Sequence, residues 1–148
     1  TGSKDAFIVK LNKDGDFVWV NTYGGGMHDF ANGLNVDKNG DIYVYGAYNG
    51  VVDFDAGPGV FTLDEVVNGE SYMLKLDGNG NLIWAKAVDA RAEYGITSDV
   101  SGVYFKFDLG TNLPTDMDPG VGVFNLSNSI INQQSVVVLK LDVAGNFL

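Results

Sequence analysis

Short runs of alternating apolar and polar residues fill the chain, and most of them end at a glycine-centred turn. In Phe7-Ile8-Val9-Lys10-Leu11 the alternate residues Phe7, Val9 and Leu11 predict one apolar face of a β-strand. Tyr72, Leu74 and Leu76 repeat that face further on. After such runs comes a turn of one grammar: Asn or Asp, two variable residues, Gly, and usually Asp or Asn. It stands at Asn12-Lys-Asp-Gly15-Asp16, Asp37-Lys-Asn-Gly40-Asp41, Asp77-Gly-Asn-Gly80-Asn81, Asp99-Val-Ser-Gly102 and Asp142-Val-Ala-Gly145-Asn146. The first side chain accepts a backbone N–H, and the glycine takes the left-handed conformation that closes a bulged hairpin loop. These turns predict an antiparallel, hairpin-rich, all-β chain. The nearest helix candidate, DARAEYG at 89–95, is too short to stand as one.

One segment is written three times, as AFIVKLNKDGDFVW, SYMLKLDGNGNLIW and VVVLKLDVAGNFL. Lys10, Lys75 and Lys140 are 65 residues apart, as are Gly15, Gly80 and Gly145, and Trp19 and Trp84 keep that step. A second motif, VVDFDAGPGVFTL at 51–63, returns as PTDMDPGVGVFNL at 114–126, with a step of 63 from Asp53 to Asp116. One repeat holds four main strands, near Ala6–Leu11, Phe17–Thr22, Ala31–Val36 and Asp41–Tyr48, followed by the aspartate excursion. Four antiparallel strands per unit, repeated with an aromatic in each, is how a β-propeller blade is written. Ordinary blades of about 40–45 residues are shorter than this repeat, so the excursion decorates a blade without interrupting it.

The expected division is 1–48 as a first repeat that starts inside a blade, 49–69 as its acidic Gly/Pro excursion, 70–133 as a second, degenerate repeat with its own excursion at 114–126, and 134–148 as a truncated third. About two and a third repeats are too few to close a ring of four or more blades. A longer parent is therefore expected, continuing after Leu148 with an aromatic in the place of Trp19 and Trp84. The alternative is that several chains complete one ring together.

The first copy, Asp5 to Tyr48, carries a DAF-V-KL strand, a G-F-W strand, YGG before an acidic-aromatic step, and V-D--G-IYV-G. In these features it resembles the bacterial seven-bladed β-propeller repeat family, often called SBBP. The second copy is degraded: YGGG becomes VDAR, and DIYVYG becomes VYFKFD at 103–108. The resemblance implies a propeller in a secreted or surface-exposed bacterial protein. It implies no particular activity, because propellers host many functions.

Composition narrows the partners. A formal charge of −10 and a single arginine, Arg91, disfavour nucleic acid and anionic membranes, which need clustered cations. The longest apolar runs are about four residues, far short of a membrane span. The 16 Asp against 3 Glu suit turns, caps and calcium rather than helices. Zero cysteines exclude thiol catalysis and thiolate metal sites.

The aspartate motif offers the one repeated candidate site. Alternation places Asp53 and Asp55 on one side of the strand and Phe54 on the other, with Asp116 and Asp118 as their counterparts. Close carboxylates need a cation, a lysine or backbone N–H groups between them. Calcium would use them together with carbonyls of the glycine step, although the spacing is not that of an EF-hand. The other reading is a strand end whose aspartates cap a Gly/Pro turn. Lys10, Lys75 and Lys140 read either as a ring of cations or as lysines paired with Asp and packed on aromatics. Trp19 and Trp84 read as blade-to-blade packing in preference to sugar stacking. Tyr43, Tyr45 and Tyr48 are the aromatics expected at the surface, and His28 beside Asp29 is expected in a solvated turn rather than an acid/base pair. No catalytic constellation stands out. The expected function is a binding or scaffold module for a protein or glycan; the alternatives are the body of an enzyme acting on polysaccharide and a structural spacer in a surface adhesin.

Overall fold

The computed structural model describes residues 4–63, 70–109, 114–127 and 135–148. Among these residues all regular structure is β-strand and every pairing is antiparallel. In chain order the strands are β1 (Ala6–Leu11), β2 (Phe17–Tyr23), β3 (Phe30–Val36), β4 (Ile42–Tyr48), β5 (Val52–Asp53), β6 (Thr62–Leu63) and β7 (Glu70–Leu76). They continue as β8 (Leu82–Val88), β9 (Arg91–Asp99), β10 (Gly102–Leu109), β11 (Thr115–Asp116), β12 (Asn125–Leu126) and β13 (Ser135–Leu141). The short DARAEYG segment thus runs into strand β9.

The sheets divide the sequence repeat at its middle. The four-stranded sheet has the order β3-β4-β7-β8, taking two strands from the first copy and two from the second. β1 and β2 make a sheet of their own, and β9, β10 and β13 pair in the order β13-β10-β9. The excursions sit inside the β4–β7 and β10–β13 connections as the small hairpins β5-β6 and β11-β12. Neither excursion disturbs the pairing around it: Ile42 to Tyr48 and Leu76 to Glu70 stay in unbroken register.

Four of the five predicted turns close as expected. Gly15, Gly40, Gly80 and Gly145 have φ of 89°, 87°, 88° and 85°, the left-handed region that glycine enters without steric cost. In each, the leading Asn or Asp uses one oxygen to accept two backbone N–H groups, two and four residues on; Asp77 Oδ1 takes those of Asn79 (2.7 Å) and Asn81 (3.0 Å). Where the turn follows β1 or β7, the next strand carries one extra residue, since Lys10 pairs with Trp19 but Leu11 with Phe17, and Lys75 with Trp84 but Leu76 with Leu82. The fifth turn is tighter. Asp99 pairs directly with Gly102, and its Oδ1 accepts from the Ser101 N–H, the Ser101 hydroxyl and the Gly102 N–H.

The central strands of the middle sheet, β4 and β7, are buried on both faces, while its edge strand β3 is largely exposed. Ile42, Val44, Tyr48, Tyr72, Leu74, Leu76 and Ala85 face Ala6, Ile8 and Tyr23 of the first sheet. Tyr43, Tyr45, Met73, Trp84 and Val88 face Val103, Phe105, Phe107, Leu139 and Leu141 of the third. Two-sided burial explains why β4 reads IYVYGAY, nearly continuous in apolar residues. A fully buried side chain such as Leu74 contributes about 2 kcal/mol by removal from water. Its counterpart Val9 stays 43% exposed, with Phe7, Leu11 and Phe17 beside it. The face predicted on β1 is apolar, as read, and it is open. These are stacked, blade-like antiparallel sheets.

Candidate binding surface

Each excursion is built from the strand outward. Phe54 points inward and is fully buried among Tyr23, Tyr48 and Tyr72, with ring centroids 5.8, 5.7 and 4.8 Å away. Met117 takes the same position in the second excursion and is also buried. Asp53 and Asp55 lie half-buried on the other side, as the alternation requires. Asp53 Oδ1 accepts the N–H groups of Asp55 (3.0 Å) and Phe61 (2.8 Å), and Asp55 Oδ1 accepts that of Gly57 (2.8 Å). Asp116 and Asp118 repeat the pattern with Asp118, Phe124 and Gly120 at 3.0, 2.8 and 2.8 Å. The glycines are required there: a Cβ at Gly59 would lie 2.2 Å from Asp55 Oδ2, and one at Gly122 would lie 2.1 Å from Asp118 Oδ2.

The four aspartates therefore act as caps of a Gly-rich loop. Calcium takes six to eight oxygens, whereas each pair has its Oδ1 atoms committed to backbone N–H groups. Among the described residues no group of three or more His, Cys, Asp or Glu converges as metal ligands would. The donor arrangement fits the capped turn better than the ion. What the caps hold out to solvent is apolar: Val60 and Phe61 on one tip, and Val121, Val123 and Phe124 on the other, are all exposed. Sequence reasoning weighed the aspartates and missed these tips, although Val-Phe follows the glycines in both copies.

The repeated lysines and tryptophans join the sheets. Lys75 pairs with Asp41 at 2.9 Å, lies 5.0 Å from the Tyr43 ring centroid and donates to the Val143 carbonyl at 3.1 Å. Burial pulls its pKa down, but the Asp41 hydrogen bond and Tyr43 outweigh that and leave it raised. Lys10 donates to the Gly78 carbonyl, the equivalent atom one repeat earlier. Lys140 stands 5.2 Å from the Tyr104 ring centroid. Trp84 is buried against the third copy's turn and donates to Val143 O at 3.3 Å, while the half-buried Trp19 packs on the turn of the second. The tryptophans pack between sheets as expected, whereas of the three lysines only Lys75 shows the expected Asp partner among the described residues.

Two expectations are resolved differently. Tyr43, Tyr45 and Tyr48 are 1%, 2% and 0% exposed, because neighbouring sheets cover both faces of β4. Tyr45 also accepts the Gly95 N–H at 2.8 Å through its hydroxyl. His28 is exposed, as read, and its Nδ1 accepts the Lys4 N–H at 3.1 Å. Its neighbour Asp29 is buried and accepts the N–H groups of Gly25 (2.9 Å) and Asn49 (3.0 Å), clasping the β2–β3 loop to the end of β4.

A groove of about 280 Å3 runs between β3 and β9, lined by Asn35, Asp37, Lys38, Ser98 and Asp99 among others. Its carboxylates are already occupied in turns. Asp99 also accepts the Tyr104 hydroxyl at 3.0 Å, and hydrogen bonds from Ser101, then Tyr104, with the charge of Lys140, hold its pKa down at about 2.

No family model matches the chain, and no solved structure resembles it significantly. A WD repeat-containing protein of Acanthamoeba polyphaga mimivirus is 30% identical over 88 residues, covering 57% of this chain and 6% of that protein. WD repeats build propeller blades. The match and the stacked antiparallel sheets agree on a repeat protein of propeller-like construction.

Proposed function

We propose that this chain is a non-enzymatic, propeller-type binding module of a secreted or cell-surface bacterial protein, engaging a protein partner through its excursion tips. The observation that carries the reading is the repeated tip itself: Val60-Phe61 and Val123-Phe124 are exposed, with Phe124 also resting on the Phe147 ring at 5.1 Å between centroids, on loops fixed by Phe54 or Met117 below and by aspartate caps beside. Rigid, exposed apolar side chains on loops braced by a packed scaffold suit protein recognition. A WD-repeat relative agrees with a binding role. The polysaccharide-acting alternative needs two carboxyl groups converging in a cleft, and the aspartates described above are held in turns instead. Bacterial origin and export rest on the family resemblance of the first copy.

The test is photo-crosslinking from Val60 and Val123 in the intact parent protein in its native cells, with Lys13 and Val100 as exposed control positions. A protein captured from both tips, and lost on Phe61→Ser with Phe124→Ser, is the expected result. Equal capture from the control positions would sink the reading.

A further inference from the structure

Charge is not spread evenly along the chain. None of its nine Lys and Arg residues lies between Lys38 and Lys75, or between Lys106 and Lys140, the two stretches that hold the excursions. Acids do fall there: Asp53, Asp55, Asp64 and Glu65 in the first excursion, Asp116 and Asp118 in the second.

The fold brings part of that charge to the apolar tips. Asp55 Oδ1 accepts the Gly57 N–H, and Oδ2 is left without a hydrogen bond among the described residues. That free oxygen lies against Gly59, 2.2 Å from where a Cβ would stand, and Gly59 leads directly into exposed Val60 and Phe61. The second excursion repeats the arrangement: Asp118 Oδ2 would be 2.1 Å from a Cβ on Gly122, and exposed Val123 and Phe124 follow. The first tip stands in the connection between β4 and β7, two strands paired inside the middle sheet, so its exposure belongs to the loop itself.

A partner that covers Val60 and Phe61 must also cover a carboxylate oxygen and strip part of its water. A neutral or acidic surface leaves that charge uncompensated, whereas Lys or Arg replaces what the water supplied. On the reading of the tips as the docking surface, we infer that the partner is a basic protein segment. Its apolar side chains cover the Val-Phe pairs, and its flanking Lys or Arg reach the free oxygens of Asp55 and Asp118. The excursions offer no cation in sequence to hold an acidic partner. Added salt screens the attraction and weakens the contact.

The test starts from a random library of displayed peptides, selected on the intact parent protein as wild type and as Phe61→Ser with Phe124→Ser. Peptides recovered by wild type alone are expected to combine aromatic or aliphatic residues with Lys or Arg, well above the library's own frequency. One such peptide, made synthetically, is then titrated by fluorescence anisotropy at rising sodium chloride. The serine pair is expected to weaken it about tenfold or more. Asp55→Asn with Asp118→Asn keeps an oxygen for the Gly57 and Gly120 N–H groups, and is expected to weaken binding about threefold at low salt and to flatten its salt dependence. Asp14→Asn with Asp16→Asn removes the same charge in the β1–β2 turn, where the second copy carries Asn79 and Asn81, and is expected to bind as wild type does. Circular dichroism confirms that each variant folds. Tip-dependent peptides that are neutral or acidic overturn the inference and leave the tips as the docking surface, which crosslinking from Val60 and Val123 decides separately. Equal weakening by the control pair overturns it, because the attraction is then to the net charge of −10 alone. A selection that yields no tip-dependent peptide overturns it too; phosphatidylcholine vesicles bound by wild type and not by the serine pair would then assign the tips to a lipid surface.

Discussion

The indole of Trp84 lies flat against Gly145, so that a Cβ there would meet its ring carbons at 3.0 and 3.1 Å. Trp19 makes the same approach to Gly80, at 3.1 Å, one repeat earlier. Gly15 has nearly the same φ as both, yet open space where a tryptophan would stand. The three glycines thus separate backbone strain from packing. Alanine at Gly15 carries the left-handed penalty alone, about 1–2 kcal/mol. At Gly80 and Gly145 the added methyl must also push an indole aside, for about 1 kcal/mol more. Urea unfolding of the three alanine variants checks this; equal losses at all three positions would mean that the indoles yield freely.

The pair Lys75–Asp41 yields an asymmetric expectation. Lys75 is almost fully buried, while the Asp41 side chain keeps 24% of its exposure. Asp41→Ala strands a buried ammonium with one carbonyl and a tyrosine ring, at an expected loss of about 2–3 kcal/mol. Lys75→Met leaves a carboxylate that water can reach, and Trp84 still donates to Val143 O. That variant is expected to lose less. Because the folded pKa of Lys75 is raised, its stabilisation is whole below the ordinary lysine value and fades as pH rises through the folded one. Thermal melts of both variants decide the order, and a larger loss for Lys75→Met contradicts it.

Local signals were legible where chemistry acts within a few residues. The Asx-x-x-Gly turns close with the expected hydrogen bonds, and Asp53 and Asp55 do alternate with a buried Phe54. The tyrosines of β4 were misread because a surface strand and a strand covered on both sides differ only in what lies beyond the sheet. That is set by β1 and β10, far away in the chain. The sheet boundary was hidden for a similar reason: the sequence repeat shows where the pattern recurs, whereas pairing of β4 with β7 decides where a sheet begins. The fifth turn tightened because Gly102 pairs directly with Asp99, which the shared Asp and Gly do not announce.

Asp99 sets an acid limit. Its folded pKa, about 2, lies below the ordinary aspartate value of about 3.9. The unfolded chain therefore binds the proton first as pH falls, so this contribution is full above the unfolded value and is lost on the way down to about pH 2. Asp99→Asn keeps an oxygen to accept the Ser101 and Gly102 N–H groups but does not titrate. The difference in melting temperature between wild type and Asp99→Asn should shrink across that window. A difference that stays constant from pH 5 to pH 2 would remove Asp99 from the acid response.

The aspartate turns return the question of calcium in a form that stability can answer. Asp53 Oδ1 joins the two arms of the first excursion by accepting from both Asp55 and Phe61, and Asp116 does so in the second. If the carboxylates serve as caps, an amide oxygen replaces them well. Asp53→Asn with Asp116→Asn should lose little, whereas the matching alanine pair should lose about 1–3 kcal/mol at each turn. Wild-type melts in EDTA and in millimolar calcium should then coincide. If calcium bridged the pairs, the amide variants would lose the ion's contribution, about 2.7 kcal/mol at a hundred times the dissociation constant. A calcium-dependent rise in the wild-type melt that vanishes in the asparagine variants would replace the capped-turn reading with a metal site at Asp53, Asp55, Asp116 and Asp118.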